Sequence, residues 1–521
     1  MVWKPEIDEL KHRKHLAEQM GGEKSVAWHH GRGKLTVRER IAGIADPGSF
    51  QEIGSLVGAG TYDDDHNLTA FTPSPEVVGV CTFNGRRVVI NGGDFTIRGG
   101  ASDAMPHGAA SKGAYARQMA MEWHIPYITL LDAAGGSVRT FEHIGRTYAI
   151  SNTGGTQESR MLGMVPIVAA AMGSVAGLPA VQTCISHFSV MVKGTSQVFP
   201  GGPPVVKAAL GYDITKEELG DERTQVYQSG AIDNLAENEE EAFSMIRRFL
   251  SYLPDNVWEM PPRVEPTDDP KRRDEELLSI MPRDRKKLYD PHQVLNHILD
   301  RDSFFEICPL YGRSRVTGLA RVNGYPIGFM INNPRYLGGS MDVSAGLKTI
   351  RFLKLCDTFH LPMVYLADEP GFMVGLEEQK KGIVRAGARI VHVISQTKMP
   401  WLTFVIRQIY GVAGQLNLRP TGMHRRYAWP SGNWGSMHIE GGTTAAYRRE
   451  IEAAPDPEAK REEIEARLKA IASPFRTAES FSIEDIIDPR DTRPLLCDFV
   501  EAAQSVLKTQ LGPTMVPLYE P

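Results

Sequence analysis

The chain has 521 residues, 42% of them hydrophobic, and carries a formal net charge of −5 at pH 7 with a pI near 6.3. This balance, with its basic residues dispersed, excludes a global electrostatic attraction to nucleic acid or to an anionic membrane. The five cysteines form no C-x-x-C pair, which excludes a local zinc knuckle or a disulfide framework. We therefore expect no metal and a reducing compartment, cytoplasmic or, in a eukaryote, similar to the mitochondrial matrix.

Residues 1–36 predict an N-terminal helix that leads into a glycine-containing turn, and Thr36 is expected to cap a short helix from Arg38 to Ile44. Further along, short apolar runs alternate with helical stretches at 109–123 and 343–359. Strands that are buried on both faces appear as continuous apolar runs, and a helix between consecutive strands indicates parallel crossovers. The predicted fold class is α/β.

The first half of the chain recurs, in order, in the second half. The matches are Asp46–Ile53 with Asp300–Ile307, Asn84–Gly85 with Asn323–Gly324, His124–Asp132 with His360–Asp368, and Val175–Gly177 with Val412–Gly414. Four ordered matches indicate a duplicated domain rather than a short repeat. We predict one domain over residues 1–255 and a second over 286–521. The proline-rich and highly charged segment 256–285 is predicted to link them.

Glycine-rich turns follow most of the predicted strands. Glycine permits positive φ and close approach of the backbone, and the helix that follows offers unpaired N–H groups that can hold an oxyanion. No phosphate-binding loop, zincin or nucleophile-elbow motif occurs in the sequence. Backbone electrostatics is therefore the remaining strong candidate for catalysis. The turns include Gly99–Gly100, Gly135–Gly136, Gly173–Gly177, Gly338–Gly339, Gly371 and Gly411–Gly414.

Several longer motifs are distinctive, and they run from G-K-L-T-V-R-E-R-I near the N-terminus to S-P-F-R-T-A-E-S near the C-terminus. Between these ends lie I-N-G-G-D-F-T-I-R-G-G at 90–100, G-G-P-P-V-V-K at 201–207, E-E-L-G at 217–220, D-E-P-G-F at 368–372 and G-I-V-R-A-G-A at 382–388. In these motifs and their order, the chain resembles the carboxyltransferase (β) subunit of biotin-dependent acyl-CoA carboxylases, the propionyl-CoA and methylcrotonyl-CoA carboxylase group. The resemblance covers nearly the whole chain.

This resemblance implies two tandem crotonase-like (ClpP/crotonase spiral) domains, with acyl-CoA bound mainly by the N-terminal domain and carboxybiotin by the C-terminal domain of a neighbouring subunit. In the mechanism that the resemblance implies, carboxybiotin releases CO2, the ureido oxygen takes the α-proton of the thioester, and the resulting enolate attacks CO2. By resemblance, Gly177 and Leu178 hold the thioester oxygen, while Val412 and Ala413 hold the ureido oxygen. The remaining predicted substrate-binding residues are Gly99, Gly100, Gly135, Gly136, Gln415 and His438.

The resemblance also implies partners. The sequence contains no M-K-M biotin-attachment site and no ATP-grasp-like glycine loop, so the biotin carboxylase and the biotin carboxyl carrier must be on another chain. The expected substrate is a coenzyme A thioester, and the expected assembly is a homo-hexamer.

The chain departs from the family pattern where Leu178 and Val412 replace glycines and where His438-Ile439-Glu440 replaces small residues. These changes predict a reshaped pocket. Two alternatives stay open: a biotin-independent crotonase-type acyl-CoA decarboxylase, hydratase or isomerase that uses His438 and Glu440 as an acid–base pair, and a non-catalytic scaffold paralogue. A capping or turn role for Asp132 and Asp368 is as compatible with the sequence as a catalytic one.

Overall fold

The structure is a computed structural model that describes residues 2–101, 112–149, 153–266, 268–284, 286–419 and 421–514. These residues fall into two compact units, of which the first ends at Glu259 and the second begins at Met260. The boundary lies inside the segment 256–285 that the sequence predicts as a linker. Most of that segment packs onto the second unit, where the 3-10 helix Glu275–Leu278 contributes the buried side chain of Leu277 to the core.

The first unit is built on an eight-stranded sheet with the strand order β1-β4-β5-β6-β7-β8-β10, in which β9 also pairs with β7. The pairs β1–β4 and β4–β5 are antiparallel, and the pairs from β5 onward are parallel. Parallel pairing needs crossover helices, as the alternating pattern predicts. The strands are β1 Gln51–Ile53, β4 Glu76–Phe83, β5 Arg86–Gly93, β6 Tyr127–Ala133, β7 Ile167–Ala176, β8 Phe188–Val192, β9 Gln197–Phe199 and β10 Asn234–Ala236, with a separate hairpin of β2 Gly58–Tyr62 and β3 Leu68–Pro73.

The N-terminal region forms two helices rather than one, because Gly22, with φ of 84°, begins the second helix. The predicted cap is confirmed: Thr36 accepts from the Glu39 amide, and the Glu39 carboxylate accepts from the Thr36 amide in return. The helices of this unit are α1 Lys4–Glu18, α2 Glu23–His30, α3 Val37–Ile44, α4 Lys112–Trp123, α5 Arg139–Ile144, α6 Thr153–Met161, α7 Leu178–Cys184, α8 Pro203–Leu210, α9 Lys216–Gly220 and α10 Glu239–Ser251. Residues 109–111 of the predicted helix 109–123 lie outside the described residues.

The second unit repeats the sheet of the first, with the order β11-β12-β13-β14-β15-β16-β18 and with β17 paired to β15. Its pairing irregularity between Ala367 and Glu369 matches the one between Leu131 and Ala133 in the first unit. The strands are β11 Phe305–Ile307, β12 Arg315–Val322, β13 Tyr325–Asn332, β14 Met363–Glu369, β15 Trp401–Tyr410, β16 His424–Ala428, β17 Asn433–Gly435 and β18 Asp485–Ile486.

Apolar side chains on one face of this second sheet, including Phe329 and Phe404, form one buried core with Trp429, α11 and α20. The helices of the unit are α11 Pro291–Ile298, α12 Val343–Thr358, α13 Leu376–Lys381, α14 Ile383–Gln396, α15 Gly411–Gln415, α16 Ile439–Ala446, α17 Arg448–Glu452, α18 Pro457–Ile471, α19 Pro474–Glu479 and α20 Thr492–Leu507. The α/β class and the duplication are therefore confirmed. None of the described helices combines the length and apolar character needed to span a bilayer.

Candidate active site

The first candidate loop lies where β7 ends and α7 begins. Gly177 adopts φ of 69° and ψ of −135°, a conformation suited to glycine, and it directly precedes the first residue of α7. Its N–H donates to the Phe199 carbonyl at 3.2 Å. The N–H of Leu178 has no acceptor among the described residues, as expected for the first turn of a helix. Of the predicted donor pair, Leu178 is therefore the one whose amide is available.

The second predicted turn packs directly against the first. Gly135 has φ of 82°, and a Cβ at this position would lie 2.6 Å from the Ala176 carbonyl oxygen. A Cβ on Gly177 would lie 3.8 Å from the Gly135 Cα, whereas one on Gly136 would meet nothing within 4 Å. The close contact explains the glycine at 135, whereas the space around the Gly136 Cα is open.

Gly99 and Gly100 pack against the residues that lead into this turn. They belong to the 3-10 helix Arg98–Gly100, and the Gly99 carbonyl accepts from the Ala134 amide at 2.8 Å. A Cβ on Gly100 would lie 3.0 Å from the Asp132 carbonyl oxygen. The structure thus brings the three predicted glycine turns of the first unit together, at the carboxyl ends of β5, β6 and β7.

The corresponding loop of the second unit begins at Gly411, with φ of 61°. The equivalent strands β7 and β15 end directly before Gly177 and Gly411, so these two glycines occupy equivalent positions in the two repeats. The sequence match of Gly177 with Gly414 is therefore wrong by three residues. The error arose because the same Val-Ala-Gly triplet occurs at 175–177, at the end of β7, and at 412–414, just after the end of β15. The corrected register aligns Leu178 with Val412.

Leu178 and Val412 do not strain these loops. The positive φ is taken by the glycine before each of them, and neither residue is among the non-glycine residues with positive φ. Their side chains are 52% and 55% exposed. In the second loop the amides of Val412 and Ala413 have no acceptor among the described residues. The substituted side chains therefore change the rim of each pocket and keep its backbone donors.

Gln415 and His438 take different positions in the second unit. Gln415 is exposed at the end of α15. His438 precedes α16, its Nε2 lies 3.0 Å from the Pro370 carbonyl oxygen, and its ring lies on Tyr410 with centroids 3.9 Å apart. Glu440 pairs with Lys469 at 3.1 Å. His438 and Glu440 therefore engage separate partners.

The aspartates that stand next to last in the equivalent strands β6 and β14 are fully buried. Asp132 accepts from Lys34 Nζ at 3.1 Å and from the Arg40 guanidinium at 3.2 Å. Asp368 lies 3.7 Å from Arg407, and burial raises the pKa of its carboxyl. Both side chains are sealed beneath the turns that they precede, so they act in loop structure rather than in contact with a ligand.

One pair near the first loop escapes prediction from the sequence. Glu158 on α6 is buried, and its Oε1 accepts from Gln182 on α7 at 3.0 Å, with Arg117 at 3.5 Å. Burial raises the pKa of Glu158 to about 7, against the opposing effect of Arg117. Its other oxygen has no hydrogen-bond partner in the described part of the chain. The helix that begins with Leu178 is thus tied to a buried acid.

Two repeats of one sheet, each with an amide that has no acceptor among the described residues directly after a glycine of positive φ, define a duplicated crotonase-type fold. Within the described ranges no group of three or more His, Cys, Asp or Glu side chains could hold a metal ion.

Comparison with known proteins agrees with this class. The carboxyl transferase domain model matches residues 28–511. The propionyl-CoA carboxylase carboxyltransferase subunit of Haloferax mediterranei is 34% identical, with 98% of each chain covered. The methylmalonyl-CoA carboxyltransferase 12S subunit of Propionibacterium freudenreichii subsp. shermanii is 32% identical over 95% of this chain and 93% of the relative. The methylmalonyl-CoA decarboxylase α subunit of Veillonella parvula is 31% identical over 91% of each.

Among solved structures, the transcarboxylase 12S crystal structure, described as a hexamer with methylmalonyl-coenzyme A bound, superimposes with a TM-score of 0.86. It is 31% identical and covers 99% of this chain and 97% of its own. The chain therefore belongs to the carboxyl transferase family, and it is a carboxyltransferase.

Proposed function

We propose that the protein is the carboxyltransferase subunit of a biotin-dependent acyl-CoA carboxylase, which moves CO2 from carboxybiotin to the α (or vinylogous) carbon of an acyl-CoA. The observation that carries this proposal is the recurrence of one loop design in both repeats, at Gly177–Leu178 and Gly411–Val412. Two oxyanion sites match a reaction in which two oxygens develop negative charge in turn.

On the thioester side, the Leu178 amide would hold the enolate oxygen of the acyl-CoA. A backbone amide is fixed by its helix and does not reorganise as charge develops, so it stabilises the enolate more than the neutral thioester. The open space at Gly136 would accept the thioester. The Gly177 amide is engaged by Phe199, so Gly177 would act by setting the direction of the next amide.

On the other side, the donor set suits a cyclic urea. The Val412 and Ala413 amides would hold its oxygen, because neither has an acceptor among the described residues and both are fixed at the start of α15. When bound, carboxybiotin supplies the carboxyl group. The two amides would stabilise the negative charge that the urea oxygen gains when the carboxyl group leaves, and that oxygen would then supply the base for the α-proton of the thioester, so no side-chain base is required.

The reaction can be tested with the purified protein, free biotin and a carboxylated acyl-CoA such as methylmalonyl-CoA. We expect decarboxylation of the thioester that depends on added biotin. A panel of acyl-CoA substrates with the biotinylated partner added would then define the acyl group. Turnover of an acyl-CoA without any biotin would contradict the proposal and favour the biotin-independent enzyme. Absence of both turnover and ligand binding would favour the scaffold.

A biotin carboxylase and a biotin carboxyl carrier on another chain are part of this proposal. Purification from the native host should yield a biotinylated partner, detectable with streptavidin.

A further inference from the structure

His438 lies where three loops of the second unit meet. Its Nε2 hydrogen-bonds the Pro370 carbonyl, in the loop after β14. Its ring lies on Tyr410, the residue immediately before Gly411 and Val412. The residue itself follows β17 and is half-buried. A single imidazole therefore touches the loop after β14 and the residue that leads into the amide donors.

The first unit is an internal control for this position. The pairing of Ala176 with Phe199 in the first sheet matches that of Tyr410 with Gly435 in the second. Each of these pairs contains one aromatic residue. In the first unit it is Phe199 on the short strand β9, and in the second it is Tyr410 on the long strand β15. Three residues after Phe199 comes Gly202, whose Cβ would lie 3.3 Å from the Phe199 ring. His438 is three residues after Gly435, so the second unit adds an imidazole where the first has only hydrogen.

The partner of the ring fixes its tautomer. A carbonyl oxygen can only accept, so Nε2 must carry the hydrogen of this bond. In the neutral ring Nδ1 is then an acceptor, and it has no partner among the described residues. The amides of Val412 and Ala413 offer only donors to a ligand. His438 adds a side-chain acceptor.

We propose that His438 determines the specificity of the second pocket by accepting, at Nδ1, a hydrogen bond from a ring N–H of a bound cyclic urea. This inference rests on the proposed function. A cyclic urea carries its oxygen acceptor beside its N–H donors, so it matches amide donors on one side and an imidazole acceptor on the other. The first unit, with Gly202 at this place, lacks the acceptor.

Two substitutions separate this role from a structural one. In His438→Asn the amide oxygen can take the place of Nδ1, but the bond to Pro370 is lost. In His438→Gln the amide nitrogen can take the place of Nε2 and keep the bond to Pro370, but the Nδ1 acceptor is lost. The dissociation constant of free biotin, measured by ligand-observed NMR on the full-length assembled protein, is the first readout. The KM for biotin in methylmalonyl-CoA decarboxylation is the second.

We expect His438→Gln to weaken biotin binding roughly 5- to 10-fold, the value of one hydrogen bond, and His438→Asn to stay within about twofold of wild type. His424→Gln is the matched control, because His424 also bonds a carbonyl, that of Gly422, but lies at the start of β16. The opposite order of the two variants, equal losses in both, or no loss in either would overturn the inference. Wild-type protein that neither binds biotin nor responds to it would instead overturn the proposed function.

Discussion

At the scale of single residues, the amide of Leu178 is the simplest group to test. Proline is well tolerated in the first turn of a helix, so Leu178→Pro removes the N–H while the helix can still form. Loss of one oxyanion donor lowers kcat by about 10²- to 10³-fold. We expect a loss of this size in biotin-dependent decarboxylation, with an unchanged circular dichroism spectrum. Leu178→Ala keeps the amide and should remain near wild type, and near-normal activity in Leu178→Pro would reject the assignment.

Glu158 makes the stability of the protein depend on pH. Below its ordinary pKa near 4.5 the carboxyl is protonated in both folded and unfolded chains, so it contributes no difference. As the pH rises toward the folded pKa of about 7, only the unfolded chain releases the proton, and the folded state loses stability. Above that pH the loss is complete and amounts to roughly 3 kcal/mol or less.

Glu158→Gln should therefore raise the thermal unfolding temperature at pH 8 and leave it nearly unchanged at pH 5, since the amide keeps an acceptor for Gln182. The exposed Glu122, which accepts from Gln118 one turn away, supplies the control substitution Glu122→Gln. A stabilisation of equal size at both pH values would show that Glu158 does not titrate in this way.

The sequence could predict the positions of the glycine loops but not this acid. Gly177 and Gly411 follow apolar runs, and their φ requirement is local. Glu158, by contrast, is an ordinary helix residue whose burial depends on α4 and α7, which are distant in sequence. The use of the Gly177 amide by Phe199 was equally invisible, because β9 pairs with β7 only in the folded sheet.

At the scale of elements, the two units neutralise equivalent aspartates by different routes. In the first unit Lys34, just ahead of α3, reaches Asp132, and a Cβ on Gly173 would lie 2.2 Å from both charged groups. In the register of β7 and β15, Gly173 corresponds to Arg407, which itself faces Asp368. In the first repeat Gly173 leaves space for Lys34 to contact the aspartate, whereas in the second repeat Arg407, at the position of that glycine, contacts the aspartate directly.

This exchange predicts coupling between the two positions. Lys34→Leu should lower the unfolding temperature by several degrees, because removal of one partner of a buried ion pair is costly. Gly173→Arg should be worse, because the new side chain meets Lys34. The double variant, which places an arginine at the position equivalent to Arg407 and removes the lysine that it would meet, should be more stable than the sum of the single changes predicts. Strict additivity would contradict it. Lys193→Leu, at an exposed pair with Glu237, is the control.

Most elements were predictable because apolar runs and helix caps are local signals. Helix 343–359 is observed as Val343–Thr358, and the Thr36 cap is observed as predicted. The register of the match between Val175–Gly177 and Val412–Gly414 could not be predicted, because a shift of three residues leaves the apolar pattern there unchanged. Only the register of β14 with β15, compared with that of β6 with β7, shows that Gly411 occupies the position equivalent to Gly177.

At the scale of the whole molecule, the prediction is a homo-hexamer, because a related structure over nearly the whole chain is described as a hexamer. Light scattering should give about six times the chain mass of 57.6 kDa. A stable species of 57.6 kDa at micromolar concentration would contradict this prediction.

The different buried charges of the two repeats also bear on how the gene can change. Recombination between its two halves could join the segment that carries Lys34 and Arg40 to the strand that carries Arg407, and one aspartate would then face three cations crowded into the same space. The reciprocal hybrid would pair Gly173 with Leu288, the counterpart of Lys34 before α11, and would lose these cations. Once the halves had diverged in this way, hybrids of either kind would fold poorly, so the divergence itself protects the duplication from being erased.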